Sequence, residues 1–155
     1  MKKVTDWYLP DNEKHFSEYL NSIKSSDNKS TYQRSQRKNA LSYLKNRSEN
    51  ASVLKNRVAI DIGACIGLWT RDLCETFEEV ICFEPYTKSI QCLKNNLNSF
   101  TNFKIHSVAL SNKVGVKNLY VAKDNVGASS MAGHNVKGAL PIKISTRKLD
   151  DYKFE

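Results

Sequence analysis

Two stretches of the chain carry residues whose types and spacing could hold a ligand. The first is Asp61-Ile62-Gly63-Ala64-Cys65-Ile66-Gly67, and the second is Phe83-Glu84-Pro85, whose carboxylate lies 21 positions past Gly63. Gly63 and Gly67 permit a tight turn and a close approach of backbone to ligand. A carboxylate about 20 residues beyond such a loop is placed to accept hydrogen bonds from both hydroxyls of a ribose. Set between Phe83 and Pro85, Glu84 would be desolvated and would need polar partners, which a ribose diol supplies. Together these residues predict a nucleoside-containing cofactor. The loop departs from the dinucleotide fingerprint Gly-x-Gly-x-x-Gly, because its glycines are separated by three residues. It lacks the close glycines that let a pyrophosphate lie against a helix start, and no Gly-Lys-Ser/Thr follows as in a phosphate-binding P-loop. A cofactor without phosphate, with an amino-acid end approaching the loop backbone, suits it: S-adenosylmethionine. The plainer reading of Asp61 is a carboxylate that braces the loop.

Other side chains with chemical potential are few. His106 stands in a predicted strand, His134 in a Gly/Ser/Asn-rich loop, and His15 on a solvated helix face, so the first two are the imidazoles available as a general base. None is singled out, and the catalytic residue stays unassigned. Cys65, Cys74, Cys82 and Cys92 are spaced 9, 8 and 10 apart with no Cys-x-x-Cys and no Cys/His cluster, so no metal site is expected. Reduced, structural thiols are expected of Cys74, Cys82 and Cys92.

The elements that would position these residues follow from periodicity. Arg57–Gly63 and Glu79–Glu84 are short apolar, β-branched runs and read as buried strands. Leu68–Phe77 and Lys88–Leu97 have helical spacing, and Phe103–Leu110 reads as a third strand. Strand, helix, strand, helix, strand with short connections implies parallel strands and half of a doubly wound α/β sheet. Two further strands are expected at Lys117–Ala122 and Leu140–Ser145, flanking the Gly/Ser/Asn-rich stretch Asp124–Gly138. Before residue 57 the pattern is helical. Phe16, Tyr19, Leu20 and Ile23 fall on one face of a helix over 11–24 with Asp11 near its start, and a second helix is expected over about 31–47. The division expected is a helical preface, 1–56, and an α/β domain, 57–155.

Length and composition set the outer limits. A chain of 155 residues with 40% apolar and 26% charged residues is an ordinary globular mixture. No run approaches a membrane span, and the basic start Met1-Lys2-Lys3 is followed by no apolar segment, so neither a membrane anchor nor a secretory signal is expected. The Asn-x-Ser sequons at Asn28, Asn46 and Asn50 are then chance matches, and a cytoplasmic location is expected. The net charge of +8 is uneven: +6 over residues 1–57, −3 over 58–103 and +5 over 104–155. The lysines are scattered among Asn and Ser, without clustered Arg or interleaved aromatics, which does not favour a nucleic-acid surface. Two other functions remain open. One is an NAD-type oxidoreductase, since Glu84 would serve that ribose too. The other is a non-catalytic basic binding module. An exposed sheet edge at the first central strand is expected to favour self-association.

Val58–Thr70, then Val80–Pro85, then Val108-Ala109-Leu110-Ser111 resemble the FkbM family of S-adenosylmethionine-dependent methyltransferases over roughly residues 57–152. Trp7-Tyr8-Leu9-Pro10-Asp11 and Tyr32-Gln33 are similar to the helical prefaces of phage and bacterial members. The resemblance implies a Rossmann-like class I methyltransferase fold that methylates a hydroxyl oxygen, on a sugar or other small metabolite, in the host cytoplasm if phage-encoded. It implies that Asp61, Gly63, Ala64, Cys65 and Gly67 line the methionine end of S-adenosylmethionine. Glu84 would hold the ribose, Pro85 would flank the adenine, and Val108 and Ala109 would border its far side. Family members continue into a fourth central strand ending in Asp/Glu-Gly, whereas this sequence stops at Glu155. The expectation is therefore a domain truncated before that strand.

Overall fold

The structure of the protein is a computed structural model, and it describes residues 1–22, 32–47, 57–133, 136 and 138–154. Its centre is the expected alternation. Strand β3 (Val58–Ile62), helix α3 (Leu68–Cys74), β4 (Glu79–Phe83), α4 (Thr87–Asn96) and β5 (Phe103–His106) follow one another with short connections. The three strands form a parallel sheet in the order β3-β4-β5, with Asp61 beside Cys82 and Phe83 beside His106. This is half of a Rossmann-like sheet, and it brings the ends of β3 and β4 side by side.

One sheet face is closed by α3 and α4. Ala59, Val80 and Cys82 pack there on Cys74, Leu93 and Leu97, a continuous apolar layer that makes both helices bury one side. β3 is the outer strand of this sheet among the described residues, and its Ile62 is 59% exposed.

The expected single strand Phe103–Leu110 is broken in two. The Val108 N–H bonds back to the His106 carbonyl at 2.9 Å, a three-residue turn that ends β5. The chain re-enters extended structure as β6 (Ala109–Leu110), which belongs to a second sheet. There β8 (Leu140–Arg147) lies between β6, to which it is parallel, and β7 (Gly115–Val121), to which it is antiparallel. Ala109, Leu119, Val121 and Ile144 form the small core of that sheet.

The N-terminal segment differs from the helical expectation. It opens with a hairpin, β1 (Lys2–Val4) against β2 (Trp7–Leu9), turned through Thr5 at φ 53°. Helix α1 spans His15–Ser22, a shorter helix than 11–24; Ile23 and Lys24 lie outside the described residues. The start of α1 is set by Glu13 rather than Asp11. Glu13 is fully buried, accepting the Phe16 N–H at 2.8 Å and the Val126 N–H at 2.6 Å. Helix α2 spans Arg34–Arg47. It buries no apolar stripe: Tyr43 and Leu44 are exposed, and buried Arg37 ties the helix to Asp72 of α3 by an ion pair of 2.6 Å.

Hairpin, α1 and central fold share one hydrophobic cluster, in which Trp7, Leu9, Phe16 and Leu20 meet Ile66, Leu68, Cys92 and Val126. Asn96 seals the join. Its side-chain oxygen accepts the Tyr8 N–H at 2.6 Å, and its amide donates to the carbonyls of Tyr8 and Ile66. No helix among the described residues is long and apolar enough to cross a membrane.

Candidate functional site

At the carboxyl end of β3 the backbone turns sharply. The N–H groups of Gly63 and Ala64 both reach the Phe83 carbonyl, at 2.8 and 3.2 Å, and the Gly67 N–H closes on Ala64 at 2.8 Å. Gly63 sits at φ 78° and Gly67 at φ 90°, conformations that a side chain opposes. The two glycines differ in their surroundings. A Cβ on Gly63 would have nothing within 4 Å, so open space lies over that part of the loop. A Cβ on Gly67 would lie 3.3 Å from Leu93, so Gly67 lets α3 pack against α4, and it lines neither of the two cavities beside the loop.

Glu84 joins the two loops. It is 6% exposed, accepting the Cys65 N–H at 2.9 Å on one oxygen and the Tyr86 N–H at 2.8 Å on the other. Burial pushes its carboxyl above the usual range, while those two backbone bonds pull it back. Cys65 is held at φ 50°, an uncommon conformation for a residue with a Cβ. Burial, with Glu84 beside it, pushes its thiol up to about 12. Asp61 is half-buried one strand over, where Oδ2 accepts the Thr70 hydroxyl at 2.6 Å and Oδ1 has no hydrogen bond among the described residues. Desolvation raises its carboxyl, and the Thr70 bond opposes that.

A cleft of about 350 Å³ opens beyond these strand tips. Gly63, Cys65, Glu84, Pro85 and Ala109 line it, together with Tyr86 from the start of α4. Asp61 and Ala64 line an adjoining cavity, described below. Val108 lines neither, because its residue is used in the turn that ends β5. The lining also draws on Ser129, Ser130 and Met131 from the Gly/Ser-rich stretch, which the sequence pattern could not place. Their signal is compositional only; the bridge of Ser130 to Tyr120 is what folds them over the cleft.

The described histidines, His106 and His15, line neither the cleft nor the adjoining cavity. His106 stacks on Phe83 at 5.1 Å and meets Tyr152 edge-on at 4.7 Å, as one member of an aromatic cluster. His15 packs edge-on against Phe16 and Tyr32. His134 lies outside the described residues. No group of three or more His, Cys, Asp or Glu among the described residues could hold a metal ion.

Compared with models of known protein families and with curated proteins, the chain matches none. Solved structures do match. One is the FkbM methyltransferase of Methylobacillus flagellatus KT, 19% identical over 65% of this chain and 24% of that one, with a TM-score of 0.44. A protein of Pyrococcus horikoshii provisionally assigned as an RNA methyltransferase is 28% identical over 44% of this chain and 36% of that one, TM-score 0.36. The YcgJ protein of Bacillus subtilis is 14% identical over 44% and 29%, TM-score 0.35. The matched part thus amounts to between about a quarter and about a third of each of these structures.

Proposed function

We propose that the chain binds S-adenosylmethionine in the cleft beyond β3 and β4 and acts as a methyltransferase domain, with a hydroxyl oxygen of a sugar or other small metabolite as acceptor. The observation that carries this reading is Glu84, a buried strand-tip carboxylate fastened to the Gly63–Gly67 loop and facing a cleft large enough for a nucleoside. Each of its oxygens is engaged by one backbone N–H and retains a second acceptor direction, which a ribose diol would fill. Pro85, Tyr86 and Ala109 offer apolar surface for an adenine. The open space over Gly63 admits the amino-acid end of the cofactor, and Asp61 Oδ1 would take its ammonium.

The absence of cations among the cleft's described lining residues supports this cofactor over a dinucleotide. Among the described residues no Lys, Arg or His lines it, so a pyrophosphate would meet no side-chain counter-charge there. The position where the dinucleotide fingerprint places its second glycine is Cys65, whose side chain would obstruct a close approach.

When bound, S-adenosylmethionine would supply a methyl group on a sulfonium for transfer to an acceptor oxygen, with Glu84 holding its ribose and the Gly63–Gly67 loop its amino-acid end. This chain's contribution is positioning, with Glu84 and the loop fixing one reactant against the other. Calorimetric titration tests the reading. S-adenosylhomocysteine is expected to bind in preference to NADH, and Glu84→Gln to weaken it by about tenfold. A folded protein that binds neither ligand, or that prefers NADH, overturns the reading.

A further inference from the structure

A second cavity, of about 380 Å³, borders the same loop. Ile62, Gly63, Cys65 and Gly127 line both it and the cleft, so the two lobes adjoin where a methyl donor's amino-acid end would lie. Phe16, Tyr32 and Gln33 from the N-terminal segment form one wall, and Trp69 of α3 forms another. These aromatics are organised. Phe16 and Tyr32 meet edge-to-face at 4.8 Å, Tyr19 backs Tyr32 at 5.2 Å, and the Trp69 indole N–H donates to Gln33 Oε1 at 3.0 Å. Gln33 makes that bond from a left-handed backbone, φ 49°, which costs on the order of 1 kcal/mol and tends to persist where function needs it.

The charge of this lobe runs against that of the chain. The protein has a net charge of +8, yet among the described residues no Lys, Arg or His lines the cavity, and Asp61 brings a carboxyl group to it. The Tyr32 phenol stays neutral, because burial raises it and the neighbouring Cys65, Tyr19 and Glu13 add to that. A phosphorylated ligand would be desolvated beside the Asp61 carboxyl with no Lys, Arg or His among the described lining residues to pair it, at large cost. An uncharged ring would instead lay a face on the aromatic walls and give a hydroxyl to Gln33, whose Oε1 keeps an acceptor direction beside the Trp69 bond.

We propose that this second lobe holds the methyl acceptor, that it selects an uncharged hydroxylated ring over an anionic one, and that Tyr32, Gln33 and Trp69 determine that choice. The assignment as acceptor lobe rests on the methyltransferase reading; the selectivity follows from the lobe's own residues. Saturation-transfer NMR titrations of the full chain with methyl β-D-glucopyranoside, phenol and glucose 6-phosphate test it. At least one neutral probe is expected to bind, and glucose 6-phosphate about tenfold more weakly or not at all. The glucoside binding better marks a sugar acceptor, and phenol binding better marks an aryl one. Tyr32→Ala and Trp69→Ala should each weaken the better neutral probe about tenfold while leaving S-adenosylhomocysteine affinity within about twofold. Trp69 is part-exposed, so its variant reads the lobe even if the Tyr32 variant fails to fold. Equal or tighter binding of glucose 6-phosphate, or neutral binding indifferent to both variants, overturns the inference. Failure of wild type to bind S-adenosylhomocysteine while it still discriminates between the rings overturns the methyltransferase reading and the acceptor assignment instead.

Discussion

The two strand tips that meet at the cleft carry the same functional group in different states of completion. At the end of β4, Glu84 has one backbone N–H on each carboxylate oxygen. Toward the end of β3, Asp61 holds only the Thr70 hydroxyl among the described residues, through one oxygen. The cause is local geometry. Glu84 stands where two loops converge, so the N–H groups of Cys65 and Tyr86 lie within reach. Asp61 stands inside a strand paired with Cys82, so nearby backbone is committed to the ladder and a side chain from α3 must serve. A carboxylate satisfied by backbone braces the fold; one left half-satisfied carries a desolvation cost that a ligand can relieve.

The largest test of that contrast is Glu84→Ala. It leaves the Cys65 and Tyr86 N–H groups without their acceptor in a nearly dry site and should cost about 3 kcal/mol in chemical denaturation. Glu84→Gln retains one amide oxygen for one N–H but turns an NH₂ toward the other, so its loss should be roughly half as large. An alanine variant within about 0.5 kcal/mol of wild type would mean that the brace contributes nothing to stability.

The two tips also differ in how legible they are in the sequence. The runs Val58–Ile62 and Glu79–Phe83 are apolar, β-branched and punctuated by Gly or Pro, so strand type and order follow from pattern, and Glu84 follows from its distance to Gly63. Its role as a loop brace does not, because the donors are backbone N–H groups that every residue possesses. The hairpin of three-residue strands is too short for periodicity to register, and Thr5 at its turn is a residue type that argues against φ 53°. No pattern in the sequence marks Glu13 for burial; the Phe16 N–H and the distant Val126 N–H on its two oxygens account for it. The same holds for Asn96, whose partners lie 30 and 88 residues away. Local pattern identifies elements; contacts across such separations decide which polar residues are buried among them.

Gly67→Ala and Gly63→Ala separate bracing from binding within the loop itself. Gly67→Ala combines a left-handed backbone with a Cβ 3.3 Å from Leu93 Cγ, and should cost about 2–3 kcal/mol by thermal or chemical denaturation. Gly63→Ala meets no atom within 4 Å and should cost about 1 kcal/mol from its backbone alone. The order should reverse for ligand. The Cβ at Gly63 occupies the open space over the loop and should weaken S-adenosylhomocysteine more than the Gly67 change does in protein that remains folded. A common rank order for stability and affinity would show that the loop acts through its fold alone.

Asp61→Asn should have the smallest effect on stability, and the opposite sign. Burial raises the Asp61 carboxyl, so the folded chain keeps its proton to higher pH than the unfolded chain does. The stabilising contribution of the protonated group is complete below the unfolded pKa, near 3.9, and is lost as pH rises through the folded value. At pH 7 the unliganded protein therefore bears the cost of a half-buried charge, which also raises Glu84. Asparagine removes that charge while its amide oxygen still accepts from Thr70. The unliganded variant should be more stable than wild type at pH 7 by less than about 1 kcal/mol, with the gap closing toward pH 4. On the proposed reading, saturating S-adenosylhomocysteine should reverse the order, since only a carboxylate would pair with the ligand's ammonium. A variant less stable than wild type at pH 7 without ligand would mean that the Asp61 charge already has its partner in the fold. The two strand tips would then be braces of the same kind.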